Sequence, residues 1–267
     1  MPTDRPSSAF RDLHYRAGAF IIPNPWDAGS AKILAGMGFE ALATTSAGFA
    51  FSLARKDGGV SSAEMLDHCR AIVAATPLPV SADLEKGFGD TPESAADTIR
   101  QAAATGLAGA SLEDFSGDPS RPIFDFGLAV ERIAAAAEAA KALGRDFVLT
   151  ARAENFLRGN PDLDDTIKRL QAFADAGADV LYAPALGSLD QIRTVCSAVS
   201  KPVNVLVGAK ATLADLEAAG AKRLSVGSGL ARLAYGSVIQ AAKEMRENGT
   251  FTFAGNAAKT ADIEGHF

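Results

Sequence analysis

The chain has 267 residues, 48% hydrophobic, 22% charged and 7% aromatic, which fits a folded globular protein and excludes a disordered or collagen-like one. Its 32 acidic residues against 26 basic ones give a net charge of -6, which speaks against a nucleic-acid backbone or an anionic membrane as the main partner. A small anion held by a few arginines stays compatible with that balance. Two cysteines, Cys69 and Cys196, lie far apart outside any CxxC pattern, so no disulfide framework is expected and a cytoplasmic setting is the default. Residues 1–18 carry Asp4, Arg5, Arg11, Asp12 and Arg16 without a long apolar run and do not read as a signal peptide. No stretch of about eighteen uninterrupted apolar residues is present to span a membrane.

Short apolar runs alternate with longer segments of helical periodicity. The first run, 19–22, precedes a helix over 28–37 that stops at Gly38. The second, 41–44, leads into an irregular loop and then a helix over 62–75. The third, 79–82, is followed by a helix opening at Thr91-Pro92-Glu93, an N-cap followed by a proline suited to the first turn. The remaining pairs are 109–112 with 128–143, 147–151 with 163–176, 179–182 with 188–197, 202–206 with 213–219, and 223–226 with 230–245. Eight strand-helix units in succession predict a parallel sheet covered by helices, and their number and spacing favour a closed (β/α)8 TIM barrel over two doubly wound domains. Gly38, Gly106, Gly144, Gly177 and Gly220 each stand a few residues before a strand, where a left-handed cap would turn the chain. The expected organisation is one barrel domain over 1–247 and a tail over 248–267, whose Phe251, Phe253 and Phe267 would pack on the barrel or on a neighbouring subunit.

In a parallel barrel the reactive groups collect at the C-terminal strand ends. Here those ends carry Thr44-Thr45-Ser46, Asp83-Leu84-Glu85, Glu113-Asp114, Arg152-Ala153-Glu154, Asn204 and Gly227-Ser228-Gly229. Asp83 and Glu85 are two residues apart and face the same way if extended. With Glu113 on the adjacent strand they form an acidic cluster that a hard divalent cation would stabilise, and Mg2+ is commonly held by few carboxylates plus water and substrate oxygens. Zinc is not expected, because histidine and cysteine are absent from these ends. Arg152 is either an ion-pair partner of Glu113 or Glu154, or the planar fork that grips a substrate carboxylate. Thr45 and Ser46 could do no more than satisfy loop backbone groups. Gly227 to Gly229 read as a tight turn or as a phosphate cup. No strand-end lysine is placed for Schiff-base chemistry.

Several of these segments resemble the motifs of the isocitrate lyase/phosphoenolpyruvate mutase superfamily. Asp83-Leu84-Glu85-Lys86-Gly87-Phe88-Gly89 is similar to its D-x-D-x-G-[FY]-G motif, and Gly109-Ala110-Ser111-Leu112-Glu113-Asp114 to its G-x-x-x-E-D motif. Ala151-Arg152-Ala153-Glu154 resembles A-R-x-[DE], and Asn24-Pro25-Trp26-Asp27-Ala28-Gly29-Ser30-Ala31 resembles N-x-x-D-[AP]-x-[ST]-A. The likeness covers residues 10–245. It implies a (β/α)8 barrel with a swapped eighth helix, a homodimer or homotetramer, and Mg2+ or Mn2+ as cofactor with a small 2-oxo acid as substrate. Asp83 matches the direct metal ligand, and Asp57, Glu85 and Glu113 match carboxylates that reach the metal through water. Thr45, Ser46 and Ala47 match the segment that holds the substrate carboxylate. Arg152 matches the arginine that steadies the substrate, which makes Arg152 and Glu113 the candidate catalytic residues. Trp26 and Asn204 match positions near the pocket wall.

The departures narrow the activity. Lyases of the superfamily carry a K-[KR]-C-G-H loop whose cysteine donates a proton, whereas residues 114–122 here hold no cysteine, histidine or lysine. The lysine and asparagine expected of the mutase and phosphonopyruvate hydrolase branches are missing too, and Glu85 replaces the usual aspartate. Loss of CO2 needs no dedicated acid. The expectation is therefore a Mg2+-dependent lyase that cleaves a C–C bond next to a 2-oxo acid, in the manner of an oxaloacetate decarboxylase. The alternatives are P–C chemistry on phosphonopyruvate and a non-catalytic oxo-acid binding protein.

Overall fold

The computed structural model describes residues 7–267. It opens with helix α1 (Ser7–Leu13) and then alternates strands with helices. The first half runs β1 (Phe20–Ile21), α2 (Ala28–Gly36), β2 (Leu42–Ala43), α3 (Ser46–Ser52), α4 (Ser62–Ala75), β3 (Val80–Asp83), α5 (Pro92–Ala103), β4 (Gly109–Glu113) and α6 (Phe126–Lys141). The second half runs β5 (Val148–Arg152), α7 (Leu163–Asp175), β6 (Val180–Tyr182), α8 (Leu189–Ala198), β7 (Val203–Leu206), α9 (Leu213–Ala218), β8 (Arg223–Ser225) and α10 (Gly229–Asn248). All strand pairs are parallel, in the order β1-β8-β7-β6-β5-β4-β3-β2, the (β/α)8 arrangement expected from the sequence. The seam between β1 and β2 has no ladder, because Pro23 and Pro25 lack the N–H donors one would need. It is bridged by Ala43 N–H to the Pro23 carbonyl at 3.0 Å and by the Asn24 side-chain amide to the Thr44 carbonyl at 3.1 Å.

Strands β4 and β5 are buried at every position, as parallel strands covered on both faces must be. The main core lies between sheet and helices, with Leu34, Met65, Ile72, Ile99, Leu170 and Phe173 packed against Leu112 and Leu149. A second cluster closes the N-terminal end of the barrel, where α1 drives Phe10 and Leu13 against Phe20, Ala108, Val148 and Val180. Gly109 is required for that closure. A Cβ there would lie 2.5 Å from the Val148 carbonyl oxygen and 3.1 Å from the Phe10 ring.

The segment after β2, expected to be an irregular loop, contains the helix α3. Thr45 is its N-cap and accepts a hydrogen bond from Gly48 N–H at 3.3 Å. Gly48 weakens the local helical signal, yet packing demands it. A Cβ there would meet Thr45 Cγ2 at 2.6 Å, Trp26 Cβ at 3.0 Å and Ala231 Cβ at 3.2 Å.

Helix α10 leaves the barrel almost uncovered. Ala231 is its one buried residue, while Leu233 is 68% and Val238 64% exposed. The tail forms a 3-10 turn (Thr252–Asn256) and the short α11 (Thr260–Glu264), and its last two residues return to α2. His266 lies over Gly36, and the Lys32 ammonium sits 5.9 Å from the Phe267 ring. Among the described residues no helix is long and apolar enough to cross a membrane.

Candidate active site

The C-terminal strand ends open into one cavity of about 520 Å3. Within it the backbone folds the acidic residues toward one another. Asp83 ends β3, and Thr44 Oγ1 accepts its backbone N–H at 2.9 Å, tying the end of β3 to β2. Ser46 N–H donates to Asp83 Oδ2 at 3.2 Å, and Ser46 Oγ stands 3.0 Å from that oxygen and 3.1 Å from Asp57 Oδ1. The first turn of α3 thus joins Asp57, in the loop after it, to the strand-3 acid.

Glu85 follows in a left-handed conformation, φ +52°, that a non-glycine residue adopts only when its surroundings impose it. The constraint is visible. The Glu85 carbonyl accepts Glu113 N–H at 2.9 Å, and the buried Arg132 donates to the carbonyls of Lys86, Gly89 and Thr91 in the loop beyond. Glu85 Oε1 is buried without any hydrogen-bond partner. Burial, with Asp83 and Asp57 beside it, pushes the Glu85 carboxyl up to about 7. Burial and the neighbouring Asp83 also raise Asp57 above the usual carboxylate range.

The opposite wall is built by arginines. Arg152 Nη1 donates to Asp83 Oδ1 at 2.8 Å, and its Nη2 lies 3.0 Å from Glu113 Oε2 and 2.8 Å from Glu154 Oε1. Its guanidinium stacks over the Tyr182 ring at 5.1 Å. Burial opposes the charge on Arg152, but Glu113, Glu154 and Asp83 more than offset it and raise its pKa. Arg158 adds a second fork, with Nε 3.0 Å from Glu154 Oε2 and Nη2 3.4 Å from Glu113 Oε1, over the Phe115 ring at 3.5 Å. Both Glu113 oxygens thus face guanidinium groups. Burial still holds the Glu113 carboxyl well above the usual range, against the pull of Arg152.

Thr45, Ser46, Ala47, Asp57, Asp83, Glu85, Glu113, Arg152 and Asn204 all line this cavity. Trp26 does not. It stands half-buried at the head of α2, its Cβ close beside Gly48. Asp114 points away from the cavity, holding Glu154 N–H at 2.8 Å and Arg169 at 3.2 Å. Sequence reasoning missed Arg158 and Arg223. The one signal for Arg158 was its i,i+4 spacing from Glu154; Arg223 carried none. Of the 115–123 loop only Phe115 reaches the cavity, so the loop contributes no titratable side chain there.

The donor set suits a hard cation. Asp57, Asp83 and Glu85 present oxygens to one space, and the partnerless Glu85 Oε1 is the kind of buried atom that an ion or its water would satisfy. Among the described residues no three of His, Cys, Asp and Glu are grouped to chelate an ion directly. An ion would thus draw much of its shell from water and substrate, which is the habit of Mg2+.

The sequence profile of the family described as phosphoenolpyruvate phosphomutase matches residues 10–246. A solved structure from Burkholderia cenocepacia J2315, named only in general terms as a lyase/mutase, is 56% identical, covers 97% of this chain and 94% of its own, and superposes with a TM-score of 0.94. An uncharacterised protein of Mycobacterium tuberculosis H37Rv is 33% identical over 221 residues, 82% of each chain. The 2-methylisocitrate lyase of Escherichia coli K12 is 30% identical over 211 residues, 76% of this chain and 70% of that protein.

Proposed function

The chain belongs to the phosphoenolpyruvate phosphomutase family, within the superfamily that also holds the isocitrate lyases, and from that membership we propose that it is a Mg2+-dependent lyase. It would cleave the C–C bond one carbon removed from the oxo carbon of a small 2-oxo acid, so that the electrons left behind form an enolate, with oxaloacetate decarboxylation as the leading reaction. The observation that carries this reading is a pairing. Asp57, Asp83 and Glu85 line one cavity, with Glu85 Oε1 unpartnered, while the adjoining loop places no titratable side chain there.

Asp83 would hold the ion directly, with Asp57 and Glu85 holding its water. Bound there, Mg2+ supplies Lewis-acid polarisation of the oxo and carboxylate oxygens. The chain's own residues do the rest. Ala47 N–H at the head of α3 would orient the substrate carboxylate, joined by Ser46 Oγ once it turns from the acids it now meets. Arg152, fixed by Glu113 and Glu154, keeps a positive charge beside the place where negative charge develops. Glu154, itself gripped by Arg158, meets both Nε and Nη2 of that guanidinium and fixes its orientation. CO2 departs without a proton, leaving its bonding electrons as an enolate on the remaining carbons. A water proton then gives pyruvate, so the missing loop acid is no obstacle.

The same reading makes the protein a homo-oligomer, in which the uncovered apolar face of α10 packs against another copy. The test of the activity is pyruvate release from oxaloacetate with Mg2+. Turnover well above the metal-only rate supports the reading, and a rate equal to it removes the decarboxylase assignment.

A further inference from the structure

Beneath the acidic cluster the cavity continues into the barrel, and its deep wall holds a cation that the chemistry above does not use. Arg223 opens β8 and is 5% exposed. Its Nε donates to Asn204 Oδ1 at 2.9 Å and its Nη2 to Thr150 Oγ1 at 2.9 Å. Its Nη1 faces His14 Nε2 at 3.4 Å. His14 Nδ1 lies 2.9 Å from the Phe10 carbonyl, which places the ring proton on Nδ1 and leaves Nε2 as an acceptor. Burial holds His14 neutral, pushing its pKa down to about 3.

Every partner of Arg223 is therefore uncharged. Three of its five N–H groups are used, and the other two have no partner among the described residues. The contrast with its neighbours is sharp. Arg152 and Arg158 each meet carboxylates, and Arg232 is exposed at the mouth. A buried guanidinium without a counter-charge is costly. This one also borders open space, because Arg223 lines the cavity together with the hydroxyl residues Ser81, Ser111 and Ser225.

We propose that Arg223 is the anchor of a second, deep anion subsite in the barrel, which takes a small monoanion, either a halide or the carboxylate of a small acid, with hydroxyl groups of the cavity wall completing its hydrogen bonds. Spare guanidinium donors and neutral hydroxyl donors around a monoanion satisfy both charge and hydrogen bonding. The subsite does not depend on the reaction proposed above, since neither Asp83 nor Arg152 is among the Arg223 partners.

The test has two arms. Thermal unfolding of the full chain is followed while chloride, bromide or acetate is added, with ionic strength held by gluconate. Crystals grown in bromide and in acetate are then examined at Arg223. The expected result is a saturable rise in Tm of about 3 °C, lost in Arg223→Met, with density at the free Arg223 N–H groups. Halide density with a halide-dependent Tm assigns the free ion. Acetate density with an acetate-only effect assigns the carboxylate. If Arg223→Met does not fold, the anomalous bromide signal and the acetate density in the unmodified protein decide the matter. No density at Arg223 in either crystal, or a Tm rise unchanged in Arg223→Met, overturns the proposal.

Discussion

Ser46 stands between two carboxylates, within 3.0 Å of Asp83 and 3.1 Å of Asp57, and one hydroxyl proton serves only one of them at a time. The site is thus short of positive partners on the α3 side and rich in them on the Arg152 side. That asymmetry gives two predictions. Asp83→Ala should lower Mg2+-dependent turnover by at least ~100-fold while circular dichroism stays unchanged, because a strand-end acid serves the site more than the core. Arg152→Lys should lower kcat/KM by about 100-fold, since a point charge cannot replace a fork that meets three carboxylates. Steady-state kinetics on both variants checks these values, and full activity in either one removes that residue from its role.

At the scale of elements, the strand ends and the helices after them were legible in the sequence, because apolar runs, N-caps and terminal glycines are local signals. The helix α3 was not, since Gly48 lowers its propensity while the packing that selects glycine comes from Trp26 and Ala231, distant in sequence. That Asp83 and Glu113 line one cavity could be read from strand order, but Glu85 lies beyond the end of β3 and enters the cavity through a left-handed turn, not by the extended alternation expected from its spacing. The arginines that balance these acids could not be read from strand order. Arg158 reaches Glu113 only through the turn after β5, and Arg223 crosses the barrel from β8 to Thr150 on β5. Thr45 links the two scales as both the cap of α3 and a wall of the cavity. Thr45→Ala should cost about 1 kcal/mol and lower Tm by about 3 °C, and Thr45→Ser should restore it. Thermal unfolding reads both.

At the scale of the molecule, the buried His68 contributes to the response to acid. Phe49 stacks on the His68 ring at 3.8 Å, His68 Nε2 is buried without a partner, and burial lowers its pKa from 6.5 to about 4. The unfolded chain protonates this ring near pH 6.5 and the folded chain resists. The His68 contribution is therefore complete above pH 6.5 and is lost as pH falls toward 4. Between pH 7 and pH 5 the loss amounts to about 2 kcal/mol. His68→Leu should remove that increment, so chemical denaturation of variant and parent should diverge by this amount at pH 5 relative to pH 7. Assembly belongs to the same scale. On α10, Leu233, Ala234, Val238, Ala241 and Met245 recur at helical spacing on an uncovered face. If α10 carries the proposed assembly, sedimentation velocity should find the unmodified protein oligomeric and the double change Leu233→Glu with Val238→Glu monomeric.

On the reading proposed above, Asp57, Asp83 and Glu85 surround a divalent cation. Mn2+ binding followed by electron paramagnetic resonance tests it without reference to any substrate. One site per chain, weakened at least ~10-fold in Asp83→Ala and competed by Mg2+, is the predicted result. Equal Mn2+ affinity in the variant and the unmodified protein would contradict it.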